Sequence, residues 1–304
     1  MKYDVSIVVL AYNQEKYIAQ TMESIIKQDT DYLFEIIVAD DKSNDKTPEI
    51  IKSFEEKYDF IHAIYNDKNM GVINNYINAL DFCSSDYIME CGGDDCWPVN
   101  KIERQLLFMK SHPEIGISYG LAKIMDESGC VTNKLIGDSK SSTYEGLILG
   151  NNICASSVCF KKVLWKQYLE DTNIVEKKWK MEDYPFWIWL SINSKLSFIN
   201  EILAYYRILD NSITHQKDIN KQIEFEKSVY EVKKYYVSES EKDLIYSIHC
   251  ANLAQIYYSY NDIGNYRLML KKSKRTKDRI KWILSYLPFS IKIRKLRRSF
   301  IGNE

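Results

Sequence analysis

Four short apolar runs punctuate the first hundred residues, each separated from the next by a polar loop and a helix-spaced segment. VSIVVL (5–10) is near-continuously apolar, the pattern of a strand covered on both faces in a parallel sheet. FEIIVA (34–39), IHAIY (61–65) and YIM (87–89) repeat it. Between the first two, Tyr17, Thr21, Met22, Ile25 and Ile26 recur at helical spacing up to Gln28. A second helix starts at Thr47-Pro48-Glu49, with Thr47 as the expected N-cap, and a third covers 72–83. Strand and helix thus alternate with a period of roughly 25–30 residues, the signature of an α/β chain with a mostly parallel sheet flanked by helices. In such sheets ligands bind outside the carboxyl ends of the strands. That rule gathers Ala11–Asn13, Asp40–Asp45, Asn69–Gly71 and Gly92–Asp95 onto one rim.

The last of these loops, Gly92-Gly93-Asp94-Asp95, sets two carboxylates side by side. Like charges that close resist joint ionisation unless a cation joins them. Beside glycines at a strand end, the pair suits a hard metal ion with oxygen ligands and room for a diphosphate. Taken alone, the four residues fit a solvated turn equally well, because Gly and Asp are common turn residues. A second dense stretch, KMEDYPFWIWL (180–190), offers a comparable choice. Glu182 and Asp183 can be the acidic first turn of a helix, with Pro185 tolerated there. They can also be carboxylates held on a rigid helix start against aromatic walls, where a raised pKa suits a general base.

Farther along, a helix is expected over 101–112, a strand over 115–123 and a hairpin or loop over 126–142. Loop then strand follows over 148–160, a helix start over 161–168, and short strands at 196–199 and 202–206. The pattern turns helical over 219–236 and 239–275, with a hairpin turn at Asp262–Asn265. One α/β domain, 1–217, with a helical C-terminal region, 218–304, is the organisation expected.

Charge narrows the partners. The formal net charge is −1, yet residues 271–304 hold 12 of the 41 Lys and Arg and only two acids. In that tail the bases interleave with Ile280, Trp282, Ile283, Leu284 and Phe289, as in helices that lie on an anionic membrane surface. There each base contributes about 1 kcal/mol. A solvated basic face would use the same charges; a nucleic-acid contact would too, but the body is acidic and no nucleic-acid motif is present. Seven scattered cysteines without a C-x-x-C pair fit reduced thiols in a cytosol. No apolar run reaches the roughly 18 residues that span a bilayer, and the chain enters its first strand by Val5, so neither a transmembrane segment nor a leader is expected.

Five stretches, VSIVVLAYNQEKYI, EIIVADDKSNDKT, NMGVINN, YIMECGGDDCW and MEDYPFWIWL, occur in the order and at the spacing of family 2 glycosyltransferases. Over residues 4–215 the chain resembles that family. The resemblance implies the GT-A (Rossmann-like) fold, an inverting single displacement and a nucleotide-sugar donor, with UDP favoured by the family's habits. It implies that Ala11, Tyr12, Asn13 and Asp41, supported by Asp40, Asp45, Asn69 and Gly71, hold the nucleotide, Asp41 on a uracil imide. Asp94 and Asp95 match the later acids of the family's D-x-D motif, which holds the ribose and a divalent metal, Mn²⁺ or Mg²⁺, on the diphosphate. Gly92 stands where that motif has its first Asp. Metal binding then rests on Asp94 and Asp95, Asp94 also facing the nucleotide, with Glu90 as a compensating acid two residues earlier. Glu182-Asp183 resembles the E-D pair whose Asp is the catalytic base, and Arg207, Ser212 and His215 resemble a loop that closes near the diphosphate.

The implied acceptor is a saccharide or lipid-linked saccharide, in capsule or related polysaccharide assembly by a cytoplasmic protein peripheral to the inner face of the membrane. Two other classes compete. Another nucleotide-using transferase would sit on a similar sheet, but neither G-x-x-x-x-G-K-[ST] nor G-x-G-x-x-G follows the first strand. A non-catalytic nucleotide-sugar-binding or scaffold protein is suggested by Gly92 and the helical C-terminal third.

Overall fold

The computed structural model describes residues 3–209 and 218–286, so Ser212, His215 and the tail beyond 286 lie outside the described residues. The chain divides into two compact units, Met1–Leu209 and Asp210–Glu304.

The first unit is built on one sheet. β1 (Val5–Ala11), β2 (Phe34–Asp40) and β3 (Ile61–Tyr65) pair in parallel, with Val5 opposite Phe34 and Ile36 opposite Ile61. β4 (Tyr87–Gly92) adds in parallel on the other side of β1, Leu10 opposite Gly92. The crossovers are α1 (Ile18–Ile26), α2 (Thr47–Glu55) and α3 (Val72–Phe82). Parallel strands need such covering helices, and the alternation expected from the sequence is what the structure contains.

Beyond β4 the chain runs through α4 (Lys101–Ser111), β5 (Ile115–Met125), β6 (Val131–Ile136), α5 (Tyr144–Leu149) and β7 (Cys159–Lys161). It continues through α6 (Lys162–Thr172), α7 (Ile174–Lys177), α8 (Asp183–Asn193) and β8 (Lys195–Arg207). The strand order is β3-β2-β1-β4-β7-β5-β6, with β8 paired to β5. β7 lies antiparallel between β4 and β5, so the sheet is mixed, parallel over its first half. Two local expectations change. The strands expected at 196–199 and 202–206 form one, because β5 steps from a partner at Ile199 to one at Ile202 and leaves the polar Asn200-Glu201 unpaired. Thr47 does not cap α2; its hydroxyl accepts the Gln14 N–H at 2.7 Å, while Asp45 accepts the Thr47 N–H at 2.9 Å.

The core lies where one face of β1 meets two helices. Val5, Ile7 and Val9 pack with Ile18, Met22 and Ile25 of α1 and Ile102, Leu106 and Met109 of α4. Each such side chain stabilises the fold by about 1.5–3 kcal/mol. An aromatic cluster supports α8: Phe186 meets Trp165 edge-on at 4.9 Å and Tyr168 at 5.0 Å. All seven cysteines are free thiols.

The second unit is helical over its described residues: α9 (Ile219–Tyr236), α10 (Lys242–Ser259), α11 (Ile263–Lys272) and α12 (Thr276–Leu284). Asp262 caps α11 by accepting the Asn265 N–H at 3.0 Å, which places the expected hairpin turn. Ala254, Tyr266 and Leu270 form its small core, with Trp282 packed against it. Among the described residues no helix is long and apolar enough to cross a membrane.

Candidate active site

The carboxyl ends of β1, β2 and β3 are stitched into one rim by short polar side chains. Ala11 is buried, and its carbonyl accepts the Asp41 N–H at 2.9 Å. Asn13 turns with φ 53°, a left-handed conformation that Asn tolerates better than most residues. Its N–H donates to Ser43 Oγ at 2.8 Å and its Oδ1 accepts the Asn44 N–H at 2.8 Å, fastening the β1 loop to the β2 loop. Tyr12 is left 46% exposed at the rim. Asp40 is buried and accepts the Ser43 N–H at 3.1 Å; Asp45 accepts the Glu15 N–H at 3.1 Å.

Asp41 ties in the third loop. Its carboxylate accepts the N–H groups of Met70 at 2.7 Å and Gly71 at 2.9 Å, and the Asn66 amide at 3.3 Å. Gly71 adopts φ 79°, which favours glycine, and Asn69 Oδ1 also accepts its N–H at 3.2 Å. The nucleotide residues expected from the sequence are therefore neighbours, and Asp41 organises them.

The acidic loop after β4 is clamped on all sides. Gly93 N–H donates to the Leu10 carbonyl at 2.9 Å, and Thr21 Oγ1 donates to the Gly93 carbonyl at 3.0 Å. A Cβ on Gly93 would stand 2.9 Å from that Leu10 oxygen, so only glycine fits. Ser156 Oγ accepts the Gly92 N–H at 3.0 Å and donates to Asp95 Oδ2. Trp97 Nε1 donates to the Ser156 carbonyl at 2.8 Å, and Trp97 N–H to Ser24 Oγ at 3.1 Å.

The two aspartates differ. Asp95 is 3% exposed, and its Oδ1 accepts the Arg207 N–H at 2.8 Å, so both its oxygens are held. No other described residue donates to the Asp94 carboxylate. Burial pushes both carboxyls above the ordinary range, and the Asp94 charge pushes Asp95 further. A cation would relieve both effects, and the donor set is of hard oxygens, so the residues present fit a divalent metal. No described group of three or more His, Cys, Asp or Glu is placed to hold a metal ion. The cation would therefore complete its shell with diphosphate and water oxygens, as Mg²⁺ commonly does.

Arg207, expected beside the diphosphate, lies 2% exposed behind this loop. Its Nε donates to the Asp94 carbonyl at 2.7 Å, and one terminal nitrogen to the carbonyls of Asp126 at 3.1 Å and Glu127 at 3.2 Å. The other donates to Gln20 Oε1 at 2.6 Å, and the guanidinium rests on the Tyr17 ring at 4.9 Å. Every guanidinium nitrogen is engaged, and each of these oxygen partners is neutral.

Asp183 begins α8, and its Oδ1 accepts the Tyr184 N–H at 2.6 Å. Tyr184 is itself fixed by its hydroxyl, which donates to the Leu147 carbonyl at 2.7 Å. Asp183 and Glu182 are half-buried and neither has an ion-pair partner among the described residues. Burial raises the pKa of both, and the Asp183 charge raises Glu182 further. The charges of Asp95 and Asp183 both reach the buried thiol of Cys154.

Sequence reasoning passed over the residues that hold this arrangement. Ser156, Ser24 and Gln20 belong to no motif and Thr21 was read only for its helical spacing, because one hydroxyl or amide carries no signal until its partner is known. Glu90 was noted only as a compensating acid. It is 7% exposed, receives a hydrogen bond from Tyr76, and leaves Oε1 without a partner among the described residues.

The family model "Glycosyl transferase family 2" matches residues 6–168. The chain is 30% identical over 214 residues to the Escherichia coli protein WfaP, a "UDP-Glc:alpha-D-GlcNAc-diphosphoundecaprenol beta-1,3-glucosyltransferase", covering 70% of this chain and 80% of that one. Mycobacterial relatives match at 26% identity over 69% of this chain, which spans 60% of their length. Staphylococcus aureus TarS, solved with UDP-GlcNAc, has a similar fold, with TM-score 0.60, 19% identity and coverage of 93% and 79% of the two chains. So does a Pyrobaculum calidifontis mannosyltransferase in complex with GDP-Man and Mn²⁺, with TM-score 0.58, 12% identity and coverage of 94% and 84%. With the loops, the acidic pair and the α8 carboxylates arranged as described, the chain belongs to glycosyl transferase family 2.

Proposed function

We propose that this chain is an inverting glycosyltransferase that moves a sugar from a UDP-sugar to a hydroxyl of a saccharide or lipid-linked saccharide in cell-surface polysaccharide assembly. One observation carries the reading: polar loops at the carboxyl ends of β1 to β4 share a rim, and a half-buried carboxylate without a cation opens α8. The names of WfaP and TarS, with UDP-Glc and UDP-GlcNAc, support UDP over other nucleotides.

Ala11, Tyr12, Asn13, Asp40, Asp41, Asp45, Asn69 and Gly71 line the place for base and ribose. Asp94 and Asp95 would hold a divalent cation, Mn²⁺ or Mg²⁺, against the diphosphate. That cation would supply Lewis-acid neutralisation of the leaving group. Asp183 takes the proton of the acceptor hydroxyl as its oxygen bonds to the anomeric carbon from the side opposite the diphosphate. The bond from that carbon to the diphosphate oxygen breaks, and the nucleoside diphosphate leaves with the electron pair. One displacement inverts the centre, with no covalent intermediate. Glu182 is the other acid of the pair, and burial and the Asp183 charge beside it hold its carboxyl above the ordinary range. Ser212 and His215 belong to the same proposal as closing-loop contacts. Arg207 joins it as the tie that holds the Asp94 carbonyl.

Residues 1–217 form the transferase domain in this reading, and 218–304 a helical region whose basic end meets an anionic membrane from the cytoplasmic side. α12 supports the contact, since Ile280 and Ile283 are 51% and 59% exposed between basic residues. A thermal-shift screen of nucleotide sugars with and without Mn²⁺ tests the donor assignment. A UDP-sugar should raise the melting temperature, and more so with metal, because a ligand binding only the folded state stabilises it by mass action. No shift with any UDP-sugar would reject the reading.

A further inference from the structure

The end of β4 contains a gap with a defined shape. Gly92 has an ordinary extended backbone, with Leu10 beside it in β1, so its φ does not require glycine. A Cβ built there would lie 3.0 Å from Asp94 Oδ1 and 3.4 Å from Asp95 Oδ2. Two carboxylate oxygens from adjacent residues thus converge on the volume that any side chain at position 92 would occupy.

The two carboxylates have different freedom. Asp95 is pinned by the Ser156 hydroxyl and the Arg207 N–H. Asp94 is held only through its backbone, whose carbonyl accepts from Arg207 Nε at 2.7 Å. Its carboxylate is the far end of a side chain that no other described residue restrains. At 3.0 Å that oxygen is closer than a real Cβ normally tolerates, so a side chain at 92 would turn Asp94 away and leave Asp95 where it is.

We propose that Gly92 is a positioning residue for the metal site: its missing side chain is the space into which Asp94 turns, letting Asp94 and Asp95 grip one divalent cation without a third acid. The inference rests on the metal-dependent reading above and adds the gap to it. It explains how a loop lacking the first acid of its family pattern keeps a working donor set. Hard divalent cations that retain several waters and bind diphosphate need few protein oxygens, provided those converge.

The test measures Mn²⁺ affinity in the presence of UDP, by electron paramagnetic resonance or calorimetry, on the full chain. Gly92→Ala should weaken Mn²⁺ binding by about 10–100-fold, the usual effect of disturbing the orientation of a ligand. Its melting temperature without metal should match the wild type, because the atom that must yield is a free carboxylate. In an Asp94→Ala background the same alanine should change Mn²⁺ affinity little, since the oxygen it would displace is gone. Wild-type affinity in Gly92→Ala would overturn the inference while leaving the metal reading intact. So would a further equal loss in the double variant, or a metal-free melting loss that persists there, since the added Cβ would then act on something other than Asp94. Absence of UDP-dependent Mn²⁺ binding by the wild type itself would remove the metal reading and this inference with it.

Discussion

Glu90 shows what a single buried carboxyl does to this fold. On β4, Met89 and Cys91 join the main core, so Glu90 points to the opposite face, where Tyr76 of α3 donates to its Oε2. Burial, and then the charges of Glu182 and Asp183, push its pKa well above the ordinary range, against the opposing Tyr76 hydrogen bond and Lys101. The folded state keeps a proton that the unfolded chain releases above about pH 4.3, so stability falls as pH rises through and beyond that value. Glu90→Gln has no proton to keep. Its advantage over the wild type should be absent near pH 4 and grow by up to about 1.4 kcal/mol per pH unit above it. Urea unfolding at pH 4, 5.5 and 7 measures this; a pH-independent difference would mean that Glu90 is ionised in the folded protein.

At the scale of elements, the acidic loop is stable because strands and helices far apart in sequence each contribute hydrogen bonds to it. Ser156 contributes two, to the Gly92 N–H and to Asp95, and is 2% exposed. Ser156→Ala leaves both groups buried without that partner and should destabilise the protein by about 1–3 kcal/mol. Thermal melts check this, and an unchanged melting temperature would show that the clamp is dispensable. The strands were unequally legible in the sequence. β1 to β4 read clearly because parallel strands covered on both faces are continuous apolar runs. β7 is three residues long and carries no period, α5 begins in a polar stretch, and β8 looked like two strands because its bulge places Asn200-Glu201 in the middle. The four rim loops were legible because they follow the strands. Their partners Ser156 and Gln20 were not, and Arg207 was expected beside the diphosphate rather than behind the acidic loop, since these roles arise only once β4, the 154–157 segment and β8 come together.

For the whole molecule, charge is divided as the fold is. The acidic residues of the site sit in the first unit, and the basic surplus begins in α11 and α12 of the second. Removing residues 287–304, which include five bases, should lower partitioning onto vesicles containing anionic lipid. Equal sedimentation of both forms with such vesicles would end the membrane assignment. Raised pKa values at Asp183 and Glu182 bear on catalysis at the same scale, since the base must be unprotonated to act. Transfer should therefore fall on the acid side at a pH above the ordinary carboxylate range.

The central claim is that Asp183 deprotonates the acceptor. Asp183→Asn keeps the size of the side chain and its place at the start of α8 but cannot accept that proton. Transfer from a UDP-sugar, followed by UDP release, should fall by about 10²–10⁴-fold, the usual contribution of a general base, with UDP-sugar affinity unchanged. Wild-type transfer by Asp183→Asn would contradict the account.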